Sequence, residues 1–282
     1  MTDAGTLYLC ATPIGNLEDI TLRVLHTLEA VDLIACEDTR KTLHLLNHFG
    51  ITKPVTSYYE HNKTYKGDQI IRALLDGQNV ALVSDAGMPG ISDPGYDLAR
   101  QCLENGIPYT VLPGACAAVT GLVLSGLPTD HFVFEGFLSR QKNDRLARLQ
   151  ALAAEERTMI FYEAPHRLLA TLAAMQSVFG DDRQMAAARE LTKKFEEVCR
   201  GTIAEVIAHF EAQGIKGEFV LIVSGAEPQA PETHDLDWAA KRSQALEEDG
   251  LSSKDAIKQA ASEAGLSKRD VYNFIMAAKR SQ

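Results

Sequence analysis

Apolar and polar positions fall in short blocks along most of the chain, and the blocks switch between a period of two and a period near 3.6. Thr6 to Ala11 reads as a first strand, Ile20 to Val31 as a helix, and Asp32 to Cys36 as a second strand. Helical periodicity resumes over Thr39 to Phe49. An extended Val55 to Tyr59 follows, then a helix near Gln69 to Leu75. The unbroken apolar run Val80-Ala81-Leu82-Val83 predicts a strand buried on both faces. A helix over Tyr96 to Glu104, a strand over Tyr109 to Leu112 and a helix over Ala115 to Leu124 complete the series. Strands regularly separated by helices imply βαβ units and a largely parallel sheet covered on both sides.

Beyond Gly126-Leu127-Pro128 the texture changes. Phe132 to Phe137 is aromatic-rich and strand-like, as are Met159 to Tyr162, Met185 to Ala188 and Phe219 to Val223. These predict a second α/β domain. Ala226 to Pro231 reads as an extended linker, and 236–282 as wholly helical. Within that tail Ala256 to Ala264 closes on Gly265, and Ser267 caps a helix bearing Val271, Phe274 and Ile275 on one face. The expected organisation is an N-terminal α/β domain over 1–126, a second over 127–225, a linker over 226–235 and a helical extension over 236–282. The spacing of Ala261, Gly265 and Val271 suits a helix-turn-helix; a helical hairpin covering the second domain fits it too.

Composition refines this picture. At 282 residues the chain is long enough for two domains, and 45% hydrophobic with 23% charged residues is a globular balance. Met1 to Gly5 lacks the basic start and apolar core of a signal peptide, and no apolar run approaches the roughly 20 residues that span a bilayer. No membrane association is expected. Cys10, Cys36, Cys102, Cys116 and Cys199 are scattered without CxxC spacing, which suits small core residues in a reducing compartment. The cytoplasm is the expected location. The net charge of −10 opposes indiscriminate nucleic-acid binding. Yet Arg140, Lys142, Arg145 and Arg148 cluster with only Asp144 opposing them. They form either a local RNA contact or the solvated face of the helix containing Leu146 and Leu149.

Candidate chemistry concentrates in two loops. After Val83 comes Ser-Asp-Ala-Gly-Met-Pro-Gly-Ile-Ser-Asp-Pro-Gly, with Asp93 expected to cap the following helix and Pro94 to take its first position. Such a loop at a strand's carboxyl end lets bare backbone approach a ligand. Leu112-Pro113-Gly114-Ala115-Cys116-Ala117 is a second loop of the kind, and the two are expected to end neighbouring strands and share one cleft. The absence of GxxxxGK[ST], GxSxG and HExxH patterns argues against a P-loop NTPase, a nucleophile elbow and a metal site. The first strand ends in Ala11-Thr12-Pro13-Ile14-Gly15-Asn16, with one glycine where a dinucleotide fold has three. Glu37 and Asp38 end the second strand, where such folds place a ribose-binding acid. A helix cap explains Asp38 equally well.

Six motifs follow one another along the chain. They are Thr12-Pro13-Ile14-Gly15-Asn16-Leu17, Glu37-Asp38-Thr39-Arg40, the Ser84 to Gly95 loop, Leu112-Pro113-Gly114, Tyr162-Glu163-Ala164-Pro165-His166-Arg167 and Arg189-Glu190-Leu191-Thr192-Lys193. In this order they resemble the bacterial rRNA ribose methyltransferase branch of the tetrapyrrole methylase superfamily, over roughly residues 6–225. The resemblance implies two α/β domains with a cofactor cleft between them, S-adenosylmethionine as cofactor, and a homodimer. It implies methylation of the 2′-hydroxyl of a cytidine in the decoding centre of 16S rRNA, within the small ribosomal subunit. It further implies cofactor contacts from Pro13, Gly15, Ser84, Asp85, Ala86, Gly87, Pro89, Pro113, Gly114, Ala115 and Ala117, with Asp85 orienting the ligand. Two departures matter: Thr12-Pro13-Ile14-Gly15 replaces a glycine-rich first loop, and Ala115 and Cys116 replace small hydroxyl residues, leaving those contacts to backbone.

A ribose hydroxyl needs a general base. Glu190 or Lys193 is the candidate, three apart and therefore neighbours if that stretch is helical, with Glu163 as an alternative. Lysine would need its pKa lowered by burial near the sulfonium; an ordinary surface ion pair is the other reading of the two residues. Arg40, Arg167 and Arg189 are candidate phosphate anchors beside Arg140, Lys142 and Arg145. Two competing readings are a tetrapyrrole C-methyltransferase and a helix-turn-helix nucleic-acid-binding regulator.

Overall fold

The computed structural model describes residues 4–227 and 234–280, with side chains through Ala278. The chain forms two compact units, Met1–Ala226 and Glu227–Gln282. The first begins with β1 (Leu7–Cys10), α1 (Leu22–Ala30), β2 (Leu33–Cys36), α2 (Thr39–His48), β3 (Val55–Ser57) and α3 (Lys63–Leu75). It continues with β4 (Val80–Val83), α4 (Tyr96–Glu104), β5 (Tyr109–Leu112) and α5 (Ala117–Ser125). The five strands form one parallel sheet in the order β3-β2-β4-β1-β5. All four residues of the central β4 are buried, as its continuous apolar sequence requires.

Alternation along the strands sorts the core into two layers. Leu7, Leu9 and Leu82 pack with Ile70, Leu74 and Leu98 of α3 and α4. Cys10, Ile34 and Val83 pack with Val24, Leu28 and Leu46 of α1 and α2. The chain leaves β1 toward β2 on one side and leaves β4 toward β5 on the other. Connections therefore diverge at the β1–β4 pair, and open α/β sheets bind ligands outside the carboxyl ends of strands at such a point. The two loops expected to end neighbouring strands in fact follow β4 and β5, with β1 lying between them. Its own loop completes the set.

The second sheet contains β6 (Phe132–Phe137), β7 (Thr158–Glu163), β8 (Gln184–Arg189), β9 (Glu197–Thr202) and β10 (Phe219–Val223). Its order is β6-β7-β10-β8-β9, with β6 parallel to β7 and every other pairing antiparallel. Three helices accompany it: α6 (Lys142–Ala151), α7 (Leu168–Phe179) and α8 (Ile203–Gln213). Met159, Phe161, Leu221 and Val223 pack against these helices. The other face, with Ile160, Ala186, Ala188, Val220 and Ile222, receives Ala118 and Leu122 of α5. This helix joins the two sheets. A β-carbon at Gly121 would sit 3.0 Å from Val220 Cγ1, so glycine sets how closely α5 approaches.

The second unit holds α9 (Leu236–Glu248), α10 (Ser253–Glu263) and α11 (Lys268–Arg280). Ala239, Ile257, Ala261, Ala264 and Val271 form its core, and Arg242 Nε meets Glu263 Oε2 at 2.7 Å. Gly265 turns the chain between α10 and α11 at φ 66°, and the Ser267 hydroxyl accepts the Asp270 N–H at 3.1 Å. Positions 228–233 of the expected linker lie outside the described residues. Among the described residues, no helix is long and apolar enough to cross a membrane.

Candidate active site

Backbone bonds stitch the β1 and β4 loops together. Thr12 N donates to Gly87 O at 2.9 Å and Gly87 N to Thr12 O at 3.0 Å. The Thr12 hydroxyl donates to Ser84 O at 3.1 Å and the Ser84 hydroxyl to Gly87 O at 2.9 Å. Gly87, at φ 84°, has room for no side chain without strain; its β-carbon would press on Ile14 at 3.2 Å. Gly114 of the β5 loop backs onto Ala11, where a β-carbon would fall 2.8 Å from that residue's own.

Beside this seam lies a cavity of about 360 Å³ walled by both sheets. Ile14, Ala86, Gly87, Ser92, Asp93 and Ala117 come from the first sheet's loops, and Phe137, Tyr162, Leu191, Phe219 and Val220 from the second. It adjoins a second cavity of about 740 Å³ bounded by Pro13, Gly15, Leu17, Arg40, His44 and Ser84. Ile14, Lys41, Asp85, Ala86, Lys193 and Glu218 border both. The Tyr162 hydroxyl accepts the Ala118 N–H at 3.1 Å, and burial pushes its pKa up to about 12.

Three carboxylates line the smaller cavity from the first sheet. Asp85 accepts the Asp38 N–H at 2.9 Å and the Lys41 ammonium at 2.7 Å. Its hydrogen bond to Lys41 raises the lysine's pKa. Burial, and then the nearby Asp85 charge, raise that of Glu37. Asp93 is pushed up to about 7, chiefly by burial and secondarily by Glu37 and Asp85. It does not cap α4, as its sequence position suggests: Gly95, at φ 152°, occupies the cap and no side chain bonds there.

The expected bases Glu163, Glu190 and Lys193 border the same smaller cavity from the second sheet. Glu190 and Lys193 do meet, at 2.9 Å, but not across a helical turn. Glu190 and Thr192 have φ of 52° and 66°, and a tight turn between β8 and β9 folds the lysine back. Lys193 Nζ also meets Glu218 Oε2 at 2.8 Å. Burial works to lower the lysine's pKa, but its bonds to Glu218 and Glu190 outweigh it and the pKa is raised. The lowered value that a lysine base requires is therefore not found. Glu190 moves the other way: burial opposes, yet its bonds from Lys193 and the Glu218 N–H leave its pKa lowered. Glu163 is almost wholly buried, accepting the Thr171 hydroxyl at 2.5 Å and the Ala164 N–H at 2.9 Å.

The arginines divide as well. Arg40 is open to solvent, paired with its neighbour Asp38. Arg140 and Lys142 are exposed, but Arg145 turns inward, with an N–H donated to Ser139 O at 3.4 Å, and Arg148 is taken up by Glu135. The basic cluster of the sequence is thus half its apparent size. Arg167 is half-buried, donating to Leu138 O at 2.7 Å beside Glu163, and Arg189 pairs with Glu197 at 2.7 Å. Neither faces solvent as a phosphate anchor would. Pro89, Pro113, Gly114 and Ala115 border neither cavity and instead support the loops. Lys41, Ser92, Asp93, Tyr162 and Glu218 are site residues not singled out from sequence. Lys41 directly follows the Glu37 to Arg40 motif and Tyr162 opens another, so adjacency was their signal.

The family described as Tetrapyrrole (Corrin/Porphyrin) Methylases matches residues 6–207. A Synechocystis sp. protein named Ribosomal RNA small subunit methyltransferase I is 49% identical over 270 residues, covering 96% of this chain and 97% of its own. A Halalkalibacterium halodurans protein of the same name is 49% identical over 283 residues, covering 96% and 95%. Among solved structures, uroporphyrin-III-C-methyltransferase from Thermus thermophilus aligns with a TM-score of 0.57 over 78% of this chain and 94% of that one, at 20% identity. That last likeness is one of fold.

Proposed function

The chain belongs to the tetrapyrrole (corrin/porphyrin) methylase family, and from that membership we propose that it methylates the ribose 2′-hydroxyl of a cytidine in small-subunit ribosomal RNA, with S-adenosylmethionine as methyl donor. The observation that carries the reading is the 49% identity, along nearly the whole chain, to proteins named for that RNA. A tetrapyrrole acceptor is what the family's description names, but the tetrapyrrole enzyme aligned above is only 20% identical to this chain, against 49% for the proteins named for ribosomal RNA.

The smaller cavity fits the methyl donor. Glu37 and Asp85 complement a ligand carrying a sulfonium and an ammonium, while Ile14, Ala117, Leu191 and Val220 offer an apolar surface to a purine ring. Main chain at Ala86 and Gly87 closes the floor. When bound, the donor supplies an electrophilic methyl group on sulfur. The residues of this chain hold it, align it with the incoming oxygen and keep water away, which is the larger share of the work in an in-line displacement. In this assignment Asp85, Ala86, Gly87 and Ala117 hold the donor, Pro13, Gly15 and Ser84 border the adjoining larger cavity, and the Lys193–Glu190–Glu218 group latches the second sheet's turn over the donor.

The larger cavity, with Arg40, Lys41 and His44 at its rim, suits the RNA strand. Arg140 and Lys142 add exposed positive charge. In the second unit Lys254, Lys268 and Arg269 surround the half-exposed Tyr272, a combination suited to phosphate and base contact. Homodimer formation is part of the proposal, supported by exposed Tyr109 and Val111 on edge strand β5 and Val119 and Val123 on α5. So are action in the cytoplasm and a division of the first unit near residue 126.

The test is incubation with methyl-labelled S-adenosylmethionine and, separately, small ribosomal subunits, deproteinised 16S rRNA and uroporphyrinogen. Label in RNA that resists alkaline cleavage at one cytidine is expected. Label only in the tetrapyrrole overturns the reading.

A further inference from the structure

Methylating a hydroxyl requires somewhere for its proton to go, and the groups that the sequence suggests for this task are already engaged. Two carboxylates keep Lys193 charged, Glu190 is bonded to that lysine and to a backbone N–H, and Glu163, although it borders the same cavity, has its oxygens taken by Thr171, the Ala164 N–H and Arg167. We propose that Asp93 is the general base, its carboxylate taking the 2′-hydroxyl proton; this rests on the RNA-acceptor reading above.

The placement of Asp93 is built into the loop. Ser92 is held at φ 60°, and Gly95 at φ 152° lies so near Gly90 that a β-carbon would fall 2.9 Å from its nitrogen. A non-glycine residue in the left-handed region costs about 1 kcal/mol or more and persists where surrounding contacts impose it. These bends delay the start of α4 until Tyr96, and Asp93 lines the smaller cavity instead of capping the helix. Among the described residues its carboxyl has no hydrogen-bond partner and meets its neighbours only through charge. Three charged groups of the same sheet act on it: Glu37 after β2, Asp85 after β4 and Lys41 on α2, the last already committed to Asp85. From the second sheet the neutral Tyr162 hydroxyl faces it, itself engaged with the Ala118 N–H.

Burial and the two neighbouring carboxylates hold Asp93 at about pH 7, where an aqueous carboxyl is ionised far below. A base poised near the working pH is both available and able to retain a proton. The transfer balances. The ribose oxygen bonds to the methyl carbon as the carbon–sulfur bond breaks with its electron pair kept by sulfur. The hydroxyl proton passes to Asp93 Oδ and leaves from there to solvent.

Single-turnover methyl transfer to small subunits by wild type and Asp93→Asn, between pH 5.5 and 9, tests this, together with calorimetric binding of S-adenosylmethionine to both. Wild-type rates should rise about tenfold per pH unit at acid pH, bend near pH 7 and level off by about pH 8. The variant should bind the donor within about threefold of wild type and, at pH 8 and above, lose at least about a hundredfold in rate. Its thermal midpoint, measured without ligand, should also depend less on pH between 5 and 8. A variant rate within about fivefold of wild type at pH 8 overturns the proposal, and so does a donor affinity reduced tenfold with the rate at saturation preserved. If wild type transfers no methyl to RNA, the acceptor reading falls and this proposal with it; an active variant overturns this proposal alone.

Discussion

A β-carbon on Gly15 would lie 2.4 Å from Lys193 Cγ, which fixes the first sheet's β1 loop directly against the second sheet's β8–β9 turn. Thr192 Oγ1 at 2.9 Å and the Leu191 carbonyl at 3.1 Å from the same point leave the turn no easy retreat. Gly15→Ala should therefore cost about 1–3 kcal/mol in denaturant unfolding, the usual range for overpacking. It should also weaken S-adenosylmethionine binding by about tenfold or more, read by calorimetry, because the same turn walls the donor cavity.

Lys193 should act as a clamp. Single-turnover rates of the wild type are expected to stay flat between pH 8 and 10, and Lys193→Arg should keep activity within about fivefold. Lys193→Met leaves Glu190 without its cation and should raise the dissociation constant for the donor. A rate that climbs tenfold per pH unit up to pH 10 would return the lysine to the chemistry.

The contribution of Asp93 to stability should decline as pH rises from about 4 to 7. Burial holds the Asp93 carboxyl in the folded chain at about 7, against a usual value of 3.8. Between those values the unfolded chain has released the proton that the folded chain keeps, so raising the pH favours unfolding. Asp93→Asn should flatten this part of the profile and be the more stable protein at pH 8. Denaturant midpoints at half-unit pH intervals would measure it, and parallel profiles for the two proteins would contradict the burial of a titrating carboxyl.

Glu163 should prove structural. With Thr171 and Arg167 bonded to a carboxylate that is almost wholly buried, Glu163→Ala leaves a hydroxyl and a guanidinium without their partner. A loss of about 3–5 kcal/mol is expected, as when one member of a buried pair is removed. Equilibrium unfolding gives the value directly; a loss below about 0.5 kcal/mol, the ordinary surface range, would return Glu163 to the catalytic candidates.

Arg140 and Lys142 should be read through salt. Replacing both with alanine is expected to lower the slope of log affinity for RNA against log salt by about one to two, as each lost phosphate contact removes close to one. Arg145→Ala should leave the slope alone and reduce stability, since its side chain is turned into the protein.

The strands were legible where apolar side chains run unbroken or alternate cleanly. Val80–Val83, Tyr109–Leu112, Phe132–Phe137 and Phe219–Val223 coincide with their sequence expectations residue for residue. β9 was not, because Glu-Val-Cys-Arg-Gly-Thr is an edge strand with only one neighbour and no buried residue to impose a pattern. The loops that build the cavity were visible through their glycines and prolines, since backbone conformation is written into those residue types. Direction was not visible. The charge of Arg145, Arg167 or Arg189 is the same whether the side chain meets water or a carbonyl, and only the fold decides which. Asp93 was misread for a related reason: Asp-Pro is a good helix opening, and nothing local announces that Ser92 and Gly95 bend the chain away from it.

The rung between Thr12 and Gly87 is made from peptide groups, which every amino acid carries. Side chains above it are free to drift while the rung stays, provided glycine keeps the one cramped position. Replacing the side chains that meet an acceptor therefore need not disturb this floor.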